Sequence, residues 1–543
     1  MSQVPLHAEG VGQPDAAERS VRPGRSWFTP AGAVILVATV LGLALRLLQL
    51  TRPGHLLGVT EYDDGVYFGA AVRLVHGVLP YRDFTLVQPP GLILLMTPIA
   101  ELSKFTGTDW GMAIGRLVTA CAGAASVPLA GLLVRRRGML AVVITCGITA
   151  VYPDAILAAH TVLQEPWLVL FCLAGVLAVF DDDRLTSSGR RLAWGGVAFG
   201  FAGAIKVWAI FPIVVIAVLC APSLRRVATY VGGVAVGFLV PVLPFLAMDP
   251  SSFYRSVFVA QLVRVDDTRT SLRTRLADLS GITSTTAAKV GVSASTAALV
   301  TAAIVLLVAV ACVAASVITR SLPPPLEWFA LVTGALVLLS FLWPVDFYYH
   351  YAGFFAPFLA LAVALPVARL VASLQPAGRR SRGLRLDLAA VCVAVLAIVA
   401  MSVSQAHSEA TARPSYDPTV AQKLIPAGAC VLTDQVSLTI AADRFTSDVP
   451  GCPQIVDGDG TDLDLSGGKN GVTGAAKTAA VRAVWDAAFR HAQYVWLSSA
   501  TTAARRIAWT PALKAYFAKN FRPIDSHVPI FKRIGLPGTV PKP

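Results

Sequence analysis

The chain has 543 residues, 55% of them hydrophobic and 14% charged, with a mean hydropathy of +0.64. Those proportions exclude a soluble globular domain and define a polytopic membrane protein. The net charge of +13 sits largely in short loops between apolar runs, where membrane topology accounts for it without nucleic acid.

Residues 1–30 read as a polar, cytoplasmic N-terminal tail carrying Arg19, Arg22 and Arg25. The first apolar run, 31–50, reads as an anchor because it lacks a small-residue cleavage site and further runs follow it. Others lie at 111–134, 138–157, 164–180, 191–205, 207–221, 228–247, 293–318, 326–343, 351–373 and 386–404. The positive-inside rule places Arg135 to Arg137, Arg184 to Arg191, Arg225, Arg226, Arg320 and Arg379 to Arg385 on the side of the tail. That parity requires "QPPGLILLMTPIAELSKF", 88–105, to be a shallow or re-entrant helix; the alternative is a crossing matched by a second one.

The expected fold class is therefore an α-helical polytopic membrane protein of about 11 to 13 transmembrane helices, occupying 31–404. Its outward segments are loops 51–110 and 248–292 and a C-terminal region, 405–543. The last carries β-like runs ("ACVLTD", "AQYVWLSS") and helix-like ones ("GAAKTAAVRAVWDAAFRHA", "PALKAYFAKNF"), so it reads as a small extracytoplasmic α/β domain. Six of the eight cysteines fall in apolar runs and behave as small hydrophobes. Cys430 and Cys452, in the polar C-terminal region, can form a disulfide if that region lies outside the cytoplasm.

Polar residues at the ends of these runs carry the chemical signal. In "TEYDDGVYFG", Glu61, Asp63 and Asp64 stand beside an apolar surface, and Val66, Ala70, Ala71, Leu74 and Val75 recur at helical spacing, which predicts an interfacial helix beginning at Asp63. Capping that helix needs one acid, and three are present. A partly desolvated carboxylate here has a raised pKa and can act as a general base. Glu165-Pro166 suits an ordinary helix start, Lys206 between two runs suits snorkelling, and Tyr351 and its aromatic neighbours suit an interfacial belt. His350 and Asp346 at that edge have no such simple account.

Two acidic clusters read as structural. "DDDR", 181–184, lies on the predicted cytoplasmic side as a solvated helix end. "DGDGTDLD", Asp457 to Asp464, resembles a calcium loop but has Gly460 at the fourth position and Gly468 at the twelfth.

The pattern Asp63-Asp64-Gly65-x-Tyr67, Gly77-x-x-Pro80-Tyr81-Arg82-Asp83, Pro89-Pro90-Gly91 resembles the first external loop of GT-C superfamily membrane glycosyltransferases. It is most similar to the bacterial branch related to protein O-mannosyltransferases and aminoarabinose transferases, where Glu stands at the place of Asp64. "YPDAILAAHTVLQEPW" resembles the family's second acidic site, with Glu165 in place and Asp154 as the other candidate. "GAIKVWAIFP" resembles its lysine between two spans, Lys206, and "WPVDFYYHYAGFFAP" the start of a late span.

The resemblance implies a glycosyltransferase that moves a sugar from a polyprenyl-phosphate donor to a glycan, lipid or protein acceptor on the outer face of the plasma membrane. Asp63 is then the base, with Asp64 completing the acidic pair and Glu165 orienting the acceptor. Tyr67, Tyr81, Arg82, Lys206, His350 and Tyr351 are expected to bind substrate, with Lys206 stabilising the leaving phosphate. An arginine or lysine of the later loop (Arg255, Arg264, Arg269, Arg273, Arg275, Lys289) can share that role. Since cations can neutralise a monophosphate leaving group, no metal is demanded. The rival class is a transporter or flippase of lipid-linked sugars, against which stand the missing inverted repeat and the placement of the acids on one face.

Overall fold

A computed structural model describes residues 29–265, 270–281, 293–343, 347–374, 380–412, 417–499 and 506–535. Asp346, Arg269 and Lys289 lie outside them.

Each apolar run folds as helix, as a chain in lipid must to satisfy its own backbone. Length separates them. Among the described residues seven helices are long and apolar enough to cross a membrane, and an eighth span results if Met139–Val151 and Pro153–Ala159 are taken together. That pair bends by 50° at Pro153, whose ring cannot continue the helix hydrogen bonding. Gln164–Val179 and Gly189–Ile205, at 16 and 17 residues, and Val207–Cys220 fall short of the length test, so the expected eleven reduce to seven or eight long spans.

Small residues decide the closest packing. Gly196 and Gly200 of Gly189–Ile205 face Gly233 and Gly237 of Leu224–Met248, and a Cβ on any of the four would lie 2.1–2.3 Å from a backbone carbonyl oxygen of the opposing helix. Without a hydrophobic drive between helices in lipid, such backbone approach supplies the association. Gly91 works likewise at the start of the Gly91–Thr106 helix, where a Cβ would meet the Ala204 carbonyl oxygen at 2.6 Å.

The helix expected to start at Asp63 runs Asp63–Val75, and it is covered by protein. Residues Asp64 to Arg73 are buried, because the C-terminal region covers it. Gly65 makes that cover possible: a Cβ there would sit 2.4 Å from the Ser437 amide nitrogen. Gly69 faces Ile440, Phe445 and Val456. The segment at 88–105 becomes the 16-residue helix Gly91–Thr106, packed on Asp63–Val75 and Thr108–Val134. Beyond it, Thr108 donates through its backbone and its hydroxyl to Asp443, at 2.8 and 3.1 Å.

The C-terminal region holds a four-stranded mixed sheet in the order Val431–Thr433, Tyr494–Trp496, Ile530–Arg533, Phe521–Pro523, with the first pair parallel and the others antiparallel. Trp485 and Phe489 of the Ala479–His491 helix and Leu513 and Phe517 of Pro511–Asn520 fill its core. Cys430 and Cys452 are disulfide-bonded.

"DDDR" is a hairpin, Phe180–Asp181 with Arg184–Leu185, and not a helix end. Asp181, Asp182 and Asp183 pair with Arg191, Arg136 and Arg137, a local charge cluster with no opening toward the other acidic residues.

Replacing Gly65 with Ala forces Ser437 backbone to move, so the C-terminal region should be released faster in limited proteolysis of the detergent-purified protein. Cleavage at the wild-type rate would mean that the seat at Gly65 is not tight.

Candidate active site

The site is assembled from helix ends. Lys206 caps the C-terminus of Gly189–Ile205 in an extended conformation, Glu165 lies in the first turn of Gln164–Val179, and His350 lies in the first turn of Tyr349–Ser373. Glu165 Oε1 accepts from Lys206 Nζ at 2.6 Å and contacts His350 Nδ1 at 2.9 Å, with all three side chains at most 8% exposed. A carboxylate so removed from water persists because two cationic or hydrogen-bonding groups converge on one oxygen. Lys206 Nζ also lies 3.7 Å from the ring centroid of Trp208 and 4.8 Å from that of Tyr351.

His350 Nε2 points away from Glu165 toward Asp63 Oδ2, 4.0 Å distant. Asp63, Lys206, His350, Tyr67 and Tyr351 line one cavity of about 860 Å³. Tyr67 donates to Gln164 Oε1 at 3.1 Å, and Gln164 in turn donates to the Ile205 carbonyl at 2.6 Å, tying the wall to the helix that delivers Lys206. Although 37% of the Asp63 side chain stays exposed, partial desolvation, and next the neighbouring Glu61, push its carboxyl up to about 7; His350 and Lys206 act in the opposite direction.

Five of the expected residues do not line this cavity. Asp64 is fully buried on Arg116, whose Nη2 and Nε donate to its Oδ2 at 2.6 and 3.1 Å. Arg116 Nη1 also donates to the carbonyls of His55, Leu56 and Gly58, so the pair staples the loop that leads to Asp63. Tyr81 donates to the Gln88 carbonyl at 2.6 Å and packs edge-on against Phe245 and Phe253. Arg82 is exposed and pairs with Asp83 at 2.8 Å. Glu165 holds Lys206 and His350 from behind and does not line this cavity. Asp154 is buried on the Pro153–Ala159 helix and does not line the cavity.

Other cavity residues were read as peripheral or not singled out. Glu61 accepts from Tyr349 at 3.0 Å. Asp457 and Asp459, from the stretch that resembled a calcium loop, reach the cavity because Asp457 caps the helix Gly458–Ser466. Arg264 reaches it too, donating to Tyr348 at 2.8 Å, while Arg255 pairs with Asp464 and Arg275 with backbone carbonyls. Among the described residues no three His, Cys, Asp or Glu side chains form a group that could hold a metal ion.

An apolar groove of about 1430 Å³ lies on the same helices, lined by Leu94, Phe171, Trp194, Phe201, Val240 and Phe245. Leu94 stands one turn beyond Gly91, just after the cavity residues Val87 and Gln88, and Phe201 lies five residues before Lys206.

The architecture is shared with solved membrane enzymes. Over 90% of this chain and 95% of the other, it is similar to ArnT from Cupriavidus metallidurans in the apo state, with a TM-score of 0.54 at 14% identity. The same enzyme bound to undecaprenyl phosphate aligns over 77% and 86%, with a TM-score of 0.52 at 16% identity. The oligosaccharyltransferase of Archaeoglobus fulgidus tethered with an acceptor peptide aligns over 86% and 69%, at a TM-score of 0.50 and 13% identity. No curated protein matches the sequence. The fold is GT-C-like. Residues 86–343, which carry Glu165 and Lys206, match the model of glycosyltransferase family 87.

Replacing Arg116 with Leu leaves Asp64 charged and unpaired at zero exposure, which should lower stability by about 3–5 kcal/mol. Thermal unfolding in detergent reads it, and an unchanged midpoint would contradict the pairing.

Proposed function

We propose that this protein transfers a sugar from a polyprenyl-phosphate donor to a cell-envelope acceptor at the outer face of the plasma membrane, by inverting displacement. The observation that carries the reading is the meeting of Asp63 with Lys206 and His350 in one cavity, with an apolar groove along the helix that ends at Lys206. The groove suits an isoprenoid chain, and Lys206 at the end of the Gly189–Ile205 helix suits the phosphate that ends such a chain. Nucleotide sugars are absent outside the cell, whereas a lipid-borne sugar arrives within the bilayer.

In the proposed reaction Asp63 Oδ2 takes the proton of the acceptor hydroxyl as that oxygen attacks the anomeric carbon. The bond from that carbon to the phosphate oxygen breaks, and the leaving lipid phosphate carries away its electron pair. Lys206, held by Glu165 and between Trp208 and Tyr351, stabilises the charge developing on that phosphate. His350, fixed through Nδ1, presents Nε2 to Asp63 and favours its ionised form. Residues 1–30 lie in the cytoplasm in this reading, and the three shorter helices cross the membrane as well, which puts 51–110, 248–292 and 405–543 outside.

Asp63→Asn should lower transfer by roughly 10²–10⁴-fold with expression unchanged. Membranes incubated with labelled polyprenyl-phosphate mannose, arabinose or glucose would show which label is consumed, and full activity of the variant would remove Asp63 from the role. The base works as its anion, so with a pKa of about 7 the wild-type rate should fall about tenfold per pH unit on the acid side and level off above neutrality. A profile flat from pH 5 to 8 would contradict it.

A further inference from the structure

Asp63 is gripped on both sides by the C-terminal region. Tyr62, the preceding residue, donates its hydroxyl to Asp457 Oδ1 at 2.8 Å and accepts the Asp459 backbone N–H at 3.4 Å. Its ring carries the Arg506 guanidinium 3.9 Å from the centroid. Two residues after Asp63, Gly65 lies flat against Ser437. Asp457 is itself fixed: the same Oδ1 accepts the Gly460 N–H at 2.8 Å as the cap of its helix, and the residue is 7% exposed. These contacts join positions some 395 residues apart, and they converge on the one residue to which the reaction assigns the proton.

We propose that Tyr62 and Asp457 are positioning residues through which the C-terminal region aims Asp63 into the cavity and, by the charge of Asp457, tunes its basicity. This rests on the reading of Asp63 as the base. The charged groups facing Asp63 are Glu61 from its own segment, His350 from the Tyr349–Ser373 helix, Lys206 from the end of Gly189–Ile205, and Asp457. Asp457 is in turn faced by Tyr62 and by Asp459 and Asp462 of its own helix, with Arg506 over Tyr62 and Arg264 near Asp459 at 3.8 Å. A negative charge on Asp457 opposes ionisation of Asp63, so removing it makes Asp63 an anion at lower pH. The C-terminal region is on this account part of the catalytic unit.

Two substitutions separate charge from geometry. Asp457→Asn keeps a carbonyl oxygen for both Tyr62 and Gly460 and removes only the charge, whereas Tyr62→Phe removes the hydrogen bond and keeps the charge. The test measures kcat and KM against pH for the full-length purified protein, with whichever of labelled polyprenyl-phosphate mannose, arabinose or glucose its membranes consume. D457N should move the acid limb to lower pH by about half a unit or more, with donor KM within about twofold of wild type. Y62F should lower kcat by about three- to tenfold and leave the limb within about 0.2 unit of wild type. A D457N profile superimposed on wild type overturns the charge effect, and wild-type kcat in Y62F overturns the clamp. Loss of activity in D457N at every pH, in folded protein, would make Asp457 a substrate contact and overturn positioning. If D457N does not fold, Asp457→Ser, whose hydroxyl can still cap Gly460, carries the same expectation. Full activity of Asp63→Asn would instead sink the base reading, an outcome distinct from all of these.

Discussion

A buried carboxylate requires partners, and the site follows from the way Glu165 obtains them. Its Oε1 meets both Lys206 Nζ and His350 Nδ1, which come from two other helices. Three helix ends must therefore meet within hydrogen-bond reach at one level, and the rest of the packing serves that meeting. The glycines at 91, 196, 200, 233 and 237 permit the backbone approach that delivers the end of Gly189–Ile205, and Gln164 pins that end by donating to the Ile205 carbonyl. Truncating one member of such a buried cluster costs several kcal/mol because the others stay behind unpaired.

Asp63 depends on a different arrangement. Its neighbour Asp64 is neutralised by Arg116 inside the protein, so of two adjacent acids one anchors the loop and the other looks into the cavity. Alternating roles of this kind follow from helix geometry, since successive side chains diverge by about a hundred degrees. The difference in environment separates their chemistry: Asp64 has a guanidinium in direct contact, whereas Asp63 has only the more distant His350 and Lys206 to offset burial and the negative charge of Glu61.

The sequence was informative where polar residues interrupt or end apolar runs. Glu165 and Lys206 stand out through the resemblance of their motifs and His350 because an aromatic belt does not need it, while the helix beginning at Asp63 follows from periodicity and the strands around Val431 and Val495 from short β-like runs. What stayed hidden depends on contacts across long separations. Nothing local shows that Arg116, in the middle of an apolar run, lies beside Asp64, or that Asp457 reaches Tyr62. The stretch Asp457 to Asp464 carries the residue types of a calcium loop, and only its tertiary setting turns it into a capped helix facing the cavity. Tyr81 and Arg82 sit in a motif that looks catalytic but shape and exposure assign them to packing and to the surface. The long spans among the described residues are fewer than the apolar runs because hydropathy registers a run and does not register how short or bent its helix is.

The account turns on where the donor phosphate binds. Cryo-electron microscopy of the protein with a polyprenyl monophosphate would test this directly. The expected density places a phosphate oxygen within about 3 Å of Lys206 Nζ, on the same cavity as Asp63, with the chain leaving along Phe201 and Leu94. A phosphate bound away from Lys206, or a chain leaving by another face, would contradict it.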